Sequence, residues 1–317
     1  MSLLPTRPAN RAAACPPDPL AAFLAGQLGT RTRQAYGADL RLFLDFVGLA
    51  EADLAGLRRV GFQDVVSFRN HLSATGYKSA SINRKLCSIR AFFRVLVAAG
   101  HVERNPADPA LVKGYKVDET LTGKALATRA LQAILRSIGT EADPLVRTRD
   151  KAIFYLLVLG GLRRSEAARV RWDDLLQEGV YHVLRLPVTK SGMAQEIKLQ
   201  PLVVHCLEEY RRELVRHGHP TDGHVFISLS RNQSHGAQLT DQSINLIVKR
   251  HALRAGVPRN ITAHMFRHTC CTLAIEGGAK PQQVQAHLRH KDLKTTMRYY
   301  ENRERLVDNA SDYIHLG

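Results

Sequence analysis

The sequence is poor in cysteine, with five in 317 residues. The number is odd and the spacings show no pairs. A disulfide-stapled scaffold is therefore excluded, and reduced thiols in a cytoplasmic setting are expected. Cys270 and Cys271 are adjacent in a helical stretch and cannot serve as a zinc pair. Long apolar runs are also missing. The longest, at residues 152–159, falls far short of the ~20 residues that cross a bilayer, so no membrane partner is expected. "AAAC" ends at Cys15 with no apolar stretch before it and Pro16, Pro17 and Asp18 after it, which argues against a secretion signal. The histidine-rich "HGHPTDGH" at 217–224 lies in a Pro/Gly-rich loop, and no metal site is expected there. Acidic residues are the last shortage. There are 29 Asp and Glu against 45 Lys and Arg, a net charge of +16.

That excess is spread along the chain. Residues 1–120 carry 16 basic and 10 acidic side chains, and residues 121–317 carry 29 and 19. A polyanion touching both halves is the expected partner, and nucleic acid fits best. The length suggests two domains. Residues 1–18, rich in Pro, Ala and Arg, read as a disordered N-terminus, and residues 19–112 as a helical domain. In "TRTRQAYGADLRLFLDFV", Tyr36, Leu40, Phe43, Leu44 and Val47 fall at helical spacing, with Arg31, Arg33 and Arg41 at polar positions. In "SASINRKLCSIRAFFRVLVAAG", Ile82, Leu86, Ile89, Phe93 and Leu96 form the stripe. Arg84, Lys85, Arg90 and Arg94 lie beside it. Basic residues beside such stripes suit phosphate contacts, and Arg31, Arg33, Arg41, Arg84, Lys85 and Arg90 are the candidate DNA-binding set.

Residues 113–124 read as a linker, and a larger unit spans residues 125–300. "RDKAIFYLLVLGGLRRSEAARV" reads as a buried helix, a Gly-Gly break and a second helix. In "VYHVLRLPVTKSGMAQEIKLQP", alternating residues and a Ser-Gly turn predict a β-hairpin. Four features stand out: "GLRRSE", "TKSG", "HMFRH", and "LRH" followed nine residues after its histidine by "YY".

In this order and spacing they resemble the tyrosine recombinase (phage integrase) family, especially its Xer-like, transposon and phage members. The resemblance covers roughly residues 20–300. It implies a mainly α fold with a small antiparallel β-sheet. A helical, SAM-like core-binding domain and a catalytic domain would form a two-domain clamp on double-stranded DNA. The implied activity is site-specific recombination through a 3′-phosphotyrosine intermediate and a Holliday junction, with Tyr299 as nucleophile. Arg163 and Arg267 would hold the non-bridging oxygens through forked hydrogen bonds. Arg164, next door, is the alternative to Arg163. Lys190, at the hairpin turn, would protonate the leaving 5′-oxygen, with Lys198 on the return strand as second candidate. His264 and His290 would bond the phosphate and the nucleophile, and Glu166 would support the site. His268 reads as structural, because it points about 100° away from Arg267. No metal or cofactor is implied.

Helical phase bears on the paired tyrosines. Leu293, Met297 and Tyr300 form an apolar stripe, whereas Tyr299 lines up with Thr295 and Thr296. Tyr300 is thus expected to pack and Tyr299 to stand exposed. Arg289 departs from the family, which places Gly before the second histidine. If that Gly makes a left-handed turn, Arg is strained there and the turn at 288–291 would differ. Leu306, Val307, Ala310, Tyr313 and Ile314 share a face in the tail 301–317. The resemblance implies docking of this tail on a neighbouring subunit of a DNA-bound tetramer; docking on its own domain is the alternative. An accessory protein and a nucleoid-associated, cytoplasmic location complete the picture. The competing functions are a type IB topoisomerase, which shares the chemistry, and a non-catalytic DNA-binding regulator.

Overall fold

A computed structural model describes residues 18–117, 125–186, 195–230, 235–257, 261–294, 296–297 and 299–300. Most of the N-terminal segment, part of the expected linker, Lys190 and the tail 301–317 lie outside the described residues. The chain divides into two compact units, Met1–Glu119 and Thr120–Gly317. The architecture is mainly α with one three-stranded antiparallel sheet.

The first unit contains α1 (Pro19–Ala25), α2 (Thr30–Phe46), α3 (Leu54–Arg59), α4 (Phe62–Ala74) and α5 (Ser79–Ala98). Asp18 caps α1, its carboxylate accepting the Leu20 N–H at 2.9 Å. Leu40, Phe43 and Leu44 of α2 meet Phe68 and Leu72 of α4 and Ile82, Leu86, Ile89 and Phe93 of α5 in one core. Phe43 sits edge-on to Phe68 with centroids 5.2 Å apart. The spacing of apolar residues therefore builds this unit directly.

Two of the six candidate DNA-contact residues are turned inward. Lys85 is buried, and its ammonium donates to Asp39 Oδ1 at 2.9 Å. Lys85 lies between Ile82 and Ile89 in phase, so the helix itself aims it at the core. Asp39 is fully buried and also accepts from Arg84 Nη1 (2.5 Å) and Ser88 Oγ (2.8 Å). Lys85 thus compensates a buried carboxylate and is withdrawn from the surface set. Arg90 is half-buried and donates to Ala107 O (2.8 Å) and Val112 O (2.6 Å), fastening the segment after α5. Those carbonyls need donors of this kind. Arg31, Arg33, Arg41 and Arg84 are exposed.

The second unit contains α6 (Thr128–Gly139), α7 (Pro144–Val158) and α8 (Arg164–Ala167). The strands β1 (Leu175–Glu178), β2 (Tyr181–Leu186) and β3 (Gln195–Leu199) follow. After them come α9 (Pro201–Arg216), α10 (Asp241–Arg254), α11 (Ala263–Glu276) and α12 (Pro281–Leu288). Strand β2 pairs with β3 in the register Leu184↔Ile197, as the hairpin pattern predicts, and β1 adds a third strand on its other side. Ile153, Leu156 and Leu157 of α7 are buried at the centre of this core, and Phe154 meets Phe266 of α11 edge-on at 5.6 Å. A smaller cluster joins Cys270, Cys271 and Ile275 of α11 to Val284 and Leu288 of α12 and to both tyrosines.

Candidate active site

The site begins where α7 ends. Gly161 has φ 58°, the left-handed region that glycine enters freely. A Cβ there would lie 2.4 Å from Leu288 Cδ2 and 3.2 Å from Cys270 Sγ. The Gly-Gly break therefore turns the chain and also lets α11 and α12 approach it closely. Two residues on, Arg163 caps the short helix α8. Glu166, three further, accepts both its backbone N–H (2.8 Å) and its Nη1 (2.6 Å). Arg164 instead donates to Asp241 at 3.1 Å, at the start of α10.

Arg267 comes from α11 and is 4% exposed. Its Nη1 donates to Gly161 O at 2.6 Å and its Nη2 to Leu288 O. One guanidinium thus ties together three stretches of chain that are distant in sequence. Burial, followed by the neighbouring Arg163 and Arg289 charges, lowers its pKa to about 9.

Arg289 keeps the left-handed turn, with φ 55° and ψ 46° at the end of α12. The expectation that this turn would differ without glycine is not met; the backbone adopts it and the side chain folds inward. Arg289 Nη2 donates to Glu166 Oε2 at 2.6 Å. Glu166 therefore lies between two arginines, and despite its burial they hold its carboxyl below the ordinary carboxylate range. His290 follows, its Nδ1 hydrogen-bonded to Thr296 Oγ1 at 2.9 Å. Burial, then the Arg267, Arg163, Arg289 and His264 charges, pull its pKa down to about 4.

Tyr300 packs as the helical phase predicts, whereas Tyr299 departs from it. Both are 9% exposed, and Thr296 is fully buried. Thr296 and Tyr299 of the polar face are turned inward, where His290 and His268 meet them. The Tyr299 hydroxyl is hydrogen-bonded to Nδ1 of His268, while the Tyr300 hydroxyl donates to Ala279 O. The angle between His268 and Arg267 does not reveal the contact with Tyr299. The informative spacing is four residues from His264, which places the two imidazoles on one helix face. Their rings meet edge-on with centroids 4.5 Å apart. His264 is itself exposed.

Arg163, Glu166, Arg267, Arg289 and His290 thus form one charged cluster, and His264, His268 and Tyr299 form an adjoining chain. Lys190 lies outside the described residues. Lys198 is exposed on β3, its ammonium 4.3 Å from the centroid of the Tyr181 ring. Among the described residues one group has metal-like proximity, Glu141, Asp150 and His251. Arginines already supply its countercharge: Asp150 accepts from Arg250 (2.5 Å) and Arg149 (2.9 Å), and Glu141 from Arg254 (2.7 Å). It reads as a buried salt-bridge network.

Comparison with known proteins identifies the family. The phage integrase family model matches residues 124–305, and the phage integrase N-terminal SAM-like domain matches residues 22–100. The tyrosine recombinase XerC of Pelobacter propionicus is 31% identical over 275 residues, covering 86% of this chain and 85% of that protein. XerD of Pseudomonas aeruginosa is 30% identical over 298 residues, covering 91% and 92%. Among solved structures, XerH site-specific recombinase in a post-cleavage complex with its difH substrate superposes with a TM-score of 0.68 at 22% identity. That match covers 90% of this chain and 80% of that one. A lambda integrase dimer bound to a COC′ core site gives 0.68 at 16% identity, covering 94% and 96%. These two likenesses show the fold.

Proposed function

The chain belongs to the phage integrase family and is a tyrosine-type site-specific DNA recombinase, and on that premise we propose how its residues cut and rejoin DNA. The observation that supports the reading is Arg267, bonded at once to Gly161 O and Leu288 O, which joins the three motif stretches through one guanidinium.

The scissile phosphate sits against Arg163 and Arg267. The Tyr299 oxygen attacks phosphorus in line, a P–O(Tyr) bond forms, and the bond to the deoxyribose 5′-oxygen breaks. The phenolic proton passes to the imidazole chain, where His268 already holds the hydroxyl and His264 lies beside it. Lys190 gives a proton to the departing 5′-oxygen. Charge gathers on the non-bridging oxygens during attack, and fixed guanidinium donors stabilise it more than they stabilise the resting diester. Glu166 fixes Arg163 by accepting its backbone and its side chain. His290 is neutral at pH 7 and serves as a hydrogen-bond partner. A 5′-hydroxyl from a second strand reverses the step and leaves a Holliday junction after one exchange. Bond energy is kept in the phosphotyrosine, so no ATP is required.

The partner is double-stranded DNA, met by exposed basic residues of the first unit such as Arg31, Arg33, Arg41 and Arg84 and by the catalytic unit. The working assembly on paired sites is a homotetramer at the nucleoid, with the tail 301–317 docked on a neighbour and an accessory protein where the site requires one. Incubation with nicked suicide DNA tests the chemistry. A covalent adduct confined to a specific site, lost in Tyr299→Phe, is the expected result. Adducts and relaxation without site preference would indicate a topoisomerase, and no adduct with any DNA a regulator.

A further inference from the structure

We propose that Arg289 is a third cation of the phosphate site, acting on the scissile phosphate together with Arg163 and Arg267. The inference rests on the recombinase reading above.

Three observations carry it. First, the backbone tolerates an unfavourable residue. Among the described residues, Arg289 is the one non-glycine with positive φ. A side chain with a Cβ is disfavoured there. Second, the side chain is drawn in rather than left in solvent. It is 2% exposed, with Nη2 on Glu166 and Nη1 on His287 O at 2.9 Å. A turn residue with no role in the pocket would keep so strongly hydrated a group in water. Third, its Nε is buried without a partner. That leaves one donor of a buried cation unsatisfied, and this cation lies close enough to Arg163 and Arg267 for their charges to interact.

Charge balance says what would complete it. Arg163, Arg267 and Arg289 each carry one positive charge, and Arg267 is held only by carbonyl oxygens in the contacts described. Glu166 is shared by Arg163 and Arg289 and supplies one negative charge. The cluster is left about two charges positive. A phosphodiester brings one negative charge, and its transition state builds toward two. The surplus therefore matches the transition state better than the ground state, which is the condition for acceleration. With glycine at this position the same cluster would carry one positive charge fewer to meet the charge that builds during attack.

The test is single-turnover cleavage of two suicide substrates, one with the natural scissile phosphate and one with a neutral methylphosphonate. The variants are Arg289→Asn, which tolerates the left-handed turn, and Arg289→Gly, which relaxes it. On the phosphate, each variant is expected to form the Tyr299 adduct more slowly by about 10²–10³-fold. On the methylphosphonate the deficit is expected to shrink to a few-fold, because less negative charge develops. Arg289→Lys, which keeps the charge, should fall between. Equal deficits on both substrates would mark a merely structural role and overturn the inference alone. So would full activity of the variants on the phosphate, or loss of the folded transition in both neutral variants. Absence of any adduct from the unaltered chain would overturn the recombinase reading and this inference with it.

Discussion

The hydroxyl of Tyr299 is hydrogen-bonded to Nδ1 of His268, the residue directly after the buried Arg267. In the proposed mechanism one helix therefore offers a cation to the phosphate and an imidazole to the nucleophile from consecutive positions. The two side chains diverge by about 100°. In that mechanism they would serve the same reaction by gripping different atoms of it, and His268, which is not one of the motif histidines, is the imidazole bonded to the tyrosine.

Replacing His268 by Ala should slow adduct formation by about 10²-fold, the low end for losing a positioned proton acceptor. His268→Asn, which can still accept a hydrogen bond, should recover part of the loss. Quench-flow cleavage of a suicide substrate measures both. Equal activity of His268→Ala and the unaltered chain would remove His268 from the mechanism.

The two tyrosines should separate cleanly. Tyr299→Phe should abolish the adduct and leave DNA binding in place. Tyr300→Phe should keep the adduct while losing the bond to Ala279 O, at a cost of about 1 kcal/mol in stability. Gel-shifted covalent complexes and urea titrations read the two effects.

His290 should make stability depend on pH in acid. Its pKa in the fold is lowered to about 4 from the ordinary histidine value of 6.5, so the unfolded chain binds the proton first. Its stabilising contribution is present above about pH 6.5 and is lost as pH falls toward 4. The shift of His287, lowered chiefly by burial, acts in the same direction. The melting temperature should drop over that window, and His290→Asn should flatten part of the drop.

Within the first unit, Asp39 and Lys85 should behave as a buried pair. Asp39→Ala leaves the ammonium uncompensated and should destabilise the unit by about 3–5 kcal/mol. Lys85→Met should leave the salt dependence of DNA binding unchanged. Arg31→Ala and Arg41→Ala should each lower the log–log slope by about 0.9 if each meets one phosphate. Binding isotherms at several salt concentrations give these slopes.

Much of the fold was legible in the chain. The apolar stripes of α2 and α5 reappear as buried residues of one core, because a 3.6-residue period leaves a single face to bury. The alternation at 183–188 predicted the β2–β3 pairing, whereas β1, a strand of four residues, is too short to carry a pattern. The inward bonds of Lys85 and Arg90 are not legible in the sequence, because a basic residue beside a stripe looks the same whether it meets water, a buried carboxylate or a loop carbonyl.

By itself the sequence determined which residues share a helix face and which motif residues recur at the spacing of the family, because periodicity and residue chemistry are local properties. Only the tertiary structure decided what each face meets. The polar side of the segment carrying Tyr299 turns inward, since His268 and His290 offer it hydrogen bonds there, and Arg289 folds back onto Glu166. A partner supplied by a distant stretch of chain leaves no mark on the local pattern, so the direction of a polar face is settled only when the chain has folded.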